Sequence, residues 1–146
     1  MTDPPLRALG IDLGEARIGL AVSDPLGCIA QPFESLERVG PRKDLTRIVE
    51  RVRELEVVVV VVGLPLLLSG EEGEQARKAK EFAAALERRL GNVPVELWDE
   101  RLTTVQAERT MISGGVKRRR RKRTVDPIAA ALILQTYLDA RRGGAS

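Results

Sequence analysis

The strongest constraint on the fold is a run of six consecutive valines, Val57 to Val62, closed at once by Gly63-Leu64-Pro65. Branching at Cβ disfavours a helix and packs well on a pleated surface, so the run predicts a strand. No polar residue falls on either side of its pleat. The strand must then be buried on both faces, inside a sheet covered by helices on both sides. The neighbouring segments supply the helices. Arg42 to Leu55 sets Leu45, Ile48, Val49 and Val52 at three- and four-residue spacing between charges, and Glu74 to Leu90 puts Ala76, Ala79, Phe82, Ala83 and Leu86 on one stripe, with Gly91 as the stop.

Upstream, Arg7 to Leu13, Arg17 to Ser23 and Ile29 to Leu36 predict a three-stranded antiparallel meander, turned at Gly14 and at Asp24-Pro25-Leu26-Gly27; Pro32 implies an edge or a break. Downstream, Val93 to Trp98 is a further short strand. Thr103 or Thr104 can cap a helix through about Ser113. A basic loop follows, and then a helix over Asp126 to Arg142, with Ile128, Ala131, Leu132, Gln135, Leu138 and Asp139 at helical spacing and Pro127 in its first turn. The order β-β-β-α-β-α-β-α-α predicts an α/β fold with a mixed five-stranded sheet. At 146 residues the chain fits one domain, residues 1–146.

Composition narrows the chemistry. There is no histidine and only one cysteine, Cys28, which excludes imidazole bases, His-containing metal sites, internal disulfides and multi-Cys zinc sites. Any metal must be held by oxygen. No apolar stretch approaches the roughly 18 residues that cross a bilayer, and Met1-Thr2-Asp3-Pro4-Pro5 has no signal-peptide character, so a cytoplasmic protein without membrane contact is expected. Charge is strongly segregated: residues 117–146 carry nine basic and two acidic side chains, whereas the rest of the chain is net acidic. Seven of the basic residues, Lys117, Arg118, Arg119, Arg120, Arg121, Lys122 and Arg123, are consecutive. Such a block suits a polyanionic partner, here nucleic acid.

Without histidine, chemistry falls to carboxylates, and three of them sit at the ends of core elements. Asp12 lies within the apolar stretch Leu9 to Gly14, Glu100 follows the strand ending at Trp98, and Asp126 opens the last helix. Each has an ordinary alternative: a turn cap for Asp12, a surface partner of Arg101 for Glu100, and a helix cap for Asp126. Were they to converge, they would bind Mg²⁺ or Mn²⁺, hard cations that prefer oxygen, and two such ions can activate a water and stabilise the leaving oxygen of a phosphodiester.

Four motifs occur in order: Gly10-Ile11-Asp12-Leu13-Gly14 with Arg17-Ile18-Gly19; Val61-Val62-Gly63-Leu64-Pro65; Asp99-Glu100-Arg101-Leu102-Thr103-Thr104; and Val125-Asp126 with Ala129-Ala130-Ala131. Over nearly the whole chain this pattern resembles the bacterial YqgF family, Holliday-junction-resolvase-like proteins also described as nucleases of the 16S ribosomal RNA precursor. The resemblance implies an RNase H-like fold and assigns Asp12, Glu100 and Asp126 as catalytic acids holding Mg²⁺ or Mn²⁺. It implies a nuclease that processes the 5′ end of pre-16S rRNA, or alternatively a resolvase of branched DNA. Arg101, Thr103 and Thr104 are candidates for supporting roles. This chain departs from the family in two places. Leu67-Leu68-Ser69-Gly70 replaces an Asn-Met-Asp-Gly-like loop, and Pro127 stands where Ser or Ala is usual.

Two other classes compete. Actin-like and sugar-kinase ATPases share the Gly-Ile-Asp-Leu-Gly opening, but they carry Thr or Ser near the places of Glu15 and Ala16 and need a second domain. A non-catalytic RNA- or ribosome-binding module would use the basic run alone. With aromatics at 3% and Leu66 to Leu68 as the one spare apolar patch, a monomer or weak homodimer is expected.

Overall fold

The computed structural model describes residues 6–102 and 118–144, with side chains in the second stretch from Pro127 to Arg142. Strands β1 (Ala8–Leu13), β2 (Arg17–Ser23), β3 (Ala30–Glu37), β4 (Val59–Leu64) and β5 (Val95–Asp99) form one sheet in the order β3-β2-β1-β4-β5. The β1–β2 and β2–β3 pairs are antiparallel, while β1–β4 and β4–β5 are parallel. This is the mixed five-stranded sheet expected from the sequence. Helices α1 (Pro41–Glu54) and α2 (Glu74–Leu90) are the crossovers, and α3 (Arg118–Gly144) comes last. Among the described residues no helix is long and apolar enough to cross a membrane.

Strand alternation sorts the core into two layers. Leu9 and Ile11 of β1, with Val60 and Val62 of β4, join Ile48, Val52, Phe82 and Leu86 under α1 and α2. Ala8, Val59 and Val61 point the other way, toward Ala130, Ile133, Leu134 and Tyr137 of α3. From Val59 onward the valine run is therefore buried on both faces, but its strand starts two residues late and Val58 is exposed. The Val57 N–H donates to the Val52 carbonyl at 2.9 Å and is spent in the turn out of α1, while that of Val58 donates to the carbonyl of Arg7, just before β1, at 2.9 Å. At β5 the shift from Val93 to Val95 has a similar cause, because Pro94 has no N–H to give to a ladder. Pro32 does lie on an edge strand, and the β2–β3 register slips around Phe33, pairing Leu20 with Glu34 and Ala21 with Pro32.

The C-terminal region departs most from expectation. The segment Arg118 to Arg123, expected as a loop, is the start of α3, and Pro127 lies inside the helix rather than in its first turn. Arg and Lys are good helix formers, and an interior proline costs one backbone hydrogen bond without ending a helix held by its neighbours. The buried stripe of α3 also differs, since Ala129, Ala130, Ile133, Leu134 and Tyr137 face the sheet and Ile128 is 43% exposed. Position 10 explains the choice. A Cβ there would stand 2.8 Å from Leu134 Cβ and 2.9 Å from the Ala130 carbonyl oxygen, so the helix packs straight onto the glycine. Gln135 then brackets the start of β3, accepting the Ala30 N–H at 2.8 Å and donating to the Cys28 carbonyl at 2.9 Å. Cys28 is half-buried. The helix expected over 103–113 lies outside the described residues.

One buried charge holds the α1 side together. The side chain of Asp44, fully buried, accepts the Val39 N–H at 3.1 Å, Arg47 Nη2 at 2.7 Å and Arg38 Nε at 3.3 Å. Those arginines also donate to the Gly14 and Glu37 carbonyls, which ties the β1–β2 turn, the end of β3 and the start of α1 to one carboxylate. Burial pushes the Asp44 carboxyl up, but the Val39 N–H and the Arg47 and Arg38 guanidiniums outweigh it and hold the pKa below its ordinary 3.8. A pKa depressed by folding gives stability that is complete above the unfolded value and is lost as pH falls through the folded one. The melting temperature should therefore hold down to about pH 5 and fall progressively below about pH 4. Asp44→Asn should melt lower at neutral pH and decline less steeply in acid. Thermal melts by circular dichroism read both, and parallel acid slopes for the two proteins would remove this role from Asp44.

Candidate active site

The period-2 alternation that places Ala8 and Gly10 on the α3 side of β1 also places Asp12 there, at the strand's C-terminal end and opposite Gly19 of β2. On β5 the same alternation carries Glu96 and Trp98 to that side, and Glu100 follows in the 3₁₀ turn Glu100–Leu102. Both carboxylates are buried, Asp12 at 3% exposure and Glu100 at 2%. They share a cleft lined also by Glu15, Gly63, Pro65 and Gln75. The strand between them makes room for this. A Cβ on Gly63, which pairs with Trp98, would stand 2.9 Å from Glu100 Oε1 and 2.6 Å from Ile133 Cδ1, so the Glu100 carboxylate occupies the space of a missing side chain.

Glu100 is thus not the surface partner of Arg101. Arg101 pairs with Asp99 instead, donating its backbone N–H at 2.9 Å, Nη2 at 2.8 Å and Nε at 3.1 Å. The Arg101 guanidinium holds the Asp99 carboxyl below the usual carboxylate range. It also lies against the loop that follows β4, with Nη1 3.3 Å from where a Cβ of Gly70 would be. Across the cleft mouth, Gln75 Nε2 donates to Glu15 Oε1 at 2.9 Å, joining the β1–β2 turn to the first turn of α2. Sequence reasoning overlooked this clasp, although a glutamine early in a helix just after the Gly-Leu-Pro motif was its signal. It read Gly63 only as a strand stop.

The third expected acid stands apart. The Asp126 side chain is outside those described, as are those of Arg118 to Arg123, and Lys117, Thr103 and Thr104 lie outside the described residues altogether. Helix α3 does pass Gly10 at the Ala130 carbonyl and the Leu134 side chain, and its Leu138 side chain approaches Gly27, beside Leu6. The helix therefore runs opposite to β1, and position 126 falls one turn beyond Ala130, toward the Asp12 end of the sheet. Among the described residues no group of three or more His, Cys, Asp or Glu is gathered as a metal site; the cleft brings two buried acids together, with Glu15 also on its lining.

Comparison with known proteins agrees with this arrangement. A family model described as RuvX, Holliday junction resolvase, matches residues 6–140. A candidate pre-16S rRNA nuclease of Syntrophomonas wolfei is 47% identical over 134 residues, covering 92% of this chain and 94% of that protein. Another, from Desulforudis audaxviator, is 47% identical over 139 residues, covering 95% and 98%. Among solved structures, Thermus thermophilus RuvC in complex with Holliday junction substrate superposes with a TM-score of 0.61 at 20% identity, over 94% of this chain and 96% of that one. The Fowlpox virus resolvase bound to Holliday junction DNA gives 0.54 at 9% identity, over 93% and 99%. At such identities these structures speak for the fold, a RuvC-like arrangement of sheet and helices. The sequence relatives and the family model speak for descent, and on them the chain belongs to the RuvX family, the YqgF proteins that its four motifs resemble.

Proposed function

We propose that the protein is a divalent-metal-dependent nuclease that hydrolyses phosphodiester bonds in structured nucleic acid, with the 5′ end of the 16S rRNA precursor as its main substrate. The observation that carries this reading is the pair of buried carboxylates, Asp12 and Glu100, on one cleft. Burying a carboxylate is costly, and two on one cleft would hardly be kept by a fold that did not use them. Their donors are all oxygen, and Gly63 reserves space for one of them, which fits a hard cation. Asp12 and Glu100, with Asp126 as the third acid, would hold Mg²⁺ or Mn²⁺; when bound, such ions lower the pKa of a water and stabilise the departing oxygen. The chain's own groups do the rest. The sheet fixes the two carboxylates, Gly63 keeps the place of Glu100 open, and Arg101 stands at the rim as a phosphate contact. Thr103 and Thr104 would support the site from the segment after Glu100. Lys117 to Arg123 form the electrostatic clamp on the backbone of the nucleic acid.

The choice of RNA is supported by relatives at about 47% identity that carry the name of candidate pre-16S rRNA nucleases. A second reading, resolution of branched DNA, is favoured by the description of the family model. The protein would act in the cytoplasm as a monomer or weak homodimer. Resolution of a four-way junction calls instead for a two-fold dimer with two identical sites. Measuring mass in solution, and cutting of a precursor RNA fragment against a four-way DNA junction in one Mn²⁺ buffer, separates the two readings. Cleavage of the RNA by a monomer is expected. A stable dimer making paired symmetric nicks in the junction and leaving the RNA intact would replace the first reading by the second.

Asp12→Asn should abolish Mn²⁺-dependent cleavage, by about 100-fold or more, with the circular dichroism spectrum kept. Gly63→Ala should do nearly the same by displacing the Glu100 carboxylate, while the fold yields at the terminal methyl of Ile133. Mn²⁺ titration calorimetry should then show weakened binding in both variants. Activity within tenfold of wild type in Asp12→Asn would remove that acid from the site.

The clamp acts through counterion release and carries no sequence readout. Replacing Arg119, Arg120 and Arg121 by alanine should weaken binding to all nucleic acids alike, and should make the log–log salt dependence shallower by about one unit per lost phosphate contact. An unchanged slope would make the run a solvated surface.

A further inference from the structure

The loop after β4 leaves the cleft at Pro65 and returns to it at Gln75, so it forms one rim of the candidate active site. Its backbone is tied down from within. The Leu66 N–H donates to the Leu64 carbonyl at 3.1 Å, that of Leu67 to the Glu71 carbonyl at 3.0 Å, and that of Gly70 to the Leu67 carbonyl at 2.8 Å. Gly70, at φ +92°, takes a conformation that L side chains rarely adopt, and Arg101 lies against it. Leu67 folds back over Gly73 at the start of α2. Leu68, the next residue, is 88% exposed, the most exposed large apolar side chain among those described. A held loop therefore offers one bare leucine to solvent between two residues of the cleft, Pro65 and Gln75, with the guanidinium of Arg101, from the turn after β5, packed against the loop at Gly70. Neither a core role nor a helix stripe explains it.

We propose that Leu68 is a wedge which packs against an unpaired base beside the scissile phosphate while Arg101 contacts that nucleotide's phosphate, so that the enzyme prefers cut sites at bulges, frays and single-strand junctions over continuous duplex. The inference rests on the nuclease reading. Apolar side chains of this size separate or cap base steps in other nucleic-acid-binding proteins, and a cation alongside suits the adjoining backbone. A continuous helix presents no free base face to such a wedge, whereas a bulged nucleotide does. The leucine's contact is apolar and indifferent to base identity.

The test compares two RNA duplexes that differ only by one bulged nucleotide at the cut site, with 2-aminopurine at that position as a fluorescent probe. With Mn²⁺, wild-type protein should cut the bulged RNA faster, and Leu68→Ala should lower the ratio of bulged to continuous cleavage by roughly tenfold, the scale of one lost stacking contact. Leu68→Phe should keep the ratio or raise it. The binding arm uses Asp12→Asn protein, which needs no cleavage: the 2-aminopurine signal should change when the Leu68 protein binds and stay unchanged when Leu68→Ala is added. Failure of the nuclease reading would appear as no cutting by wild type with the fluorescence change intact. A cleavage ratio and a fluorescence response both within twofold of wild type in Leu68→Ala would overturn the wedge.

Discussion

The architecture depends on how closely α3 approaches the sheet at Gly10. There the helix backbone and Leu134 occupy the volume that any side chain would need, and the rest of that layer is correspondingly thin: Ala8, Ala21, Ala129 and Ala130 are all buried in it. The opposite face is thick, filled by Leu, Ile, Val and Phe against α1 and α2. Interiors are packed at crystal-like density, so a thin layer cannot be loosened locally without leaving a void. Any group at the C-terminal ends of β1 and β5 that points into this layer is pressed into a shallow, well-defined space under the α3 side. Asp12 and Glu100 are those groups, and Gly63 repeats the device of Gly10 one strand over.

The chain buries carboxylates for two different purposes. Asp44 is surrounded by three donors, Arg38 and Val39 from the β3–α1 connection and Arg47 from α1, and its charge is consumed in holding β3, α1 and the β1–β2 turn together. Asp12 and Glu100 instead border a cleft open to solvent. A buried charge is tolerated only with compensation, and access from a cleft separates an acid suited to a cation from a structural one. Asp99, only half-buried and one residue before Glu100, points to the other side of β5 and takes up Arg101, which leaves Glu100 to the cleft.

The strands and two crossover helices were legible because each has a single clear period. The valine run could only be an interior strand, and the stripes of α1 and α2 are buried as their spacing demands. Even the convergence of Asp12 and Glu100 was latent in the alternation, since residues 8, 10 and 12 share a face, as do 96, 98 and 100. What the alternation could not supply was the distance between strands of remote sequence position, which follows from the β1–β4–β5 pairing. Helix α3 was misjudged for a physical reason. With apolar residues on several sides, its spacing admits more than one stripe, and a basic block followed by Asp-Pro has the local signals of a loop and a cap, which packing onto the sheet overrode.

The sequence by itself determined the chemical limits: no imidazole, no thiolate cluster, carboxylates at the ends of core elements, a segregated basic block and the family to which the motifs belong. It also determined the layers, through periodicity. Only the tertiary structure decided which face of α3 meets the sheet, that Gly63 stands where the Glu100 carboxylate needs space, that Arg101 answers to Asp99, and that Leu68 is left bare on the loop between β4 and α2. These outcomes turn on close approaches between segments far apart in the chain. Local pattern encodes which side of an element a residue takes, whereas a distance between elements is set by the volume of every side chain packed between them.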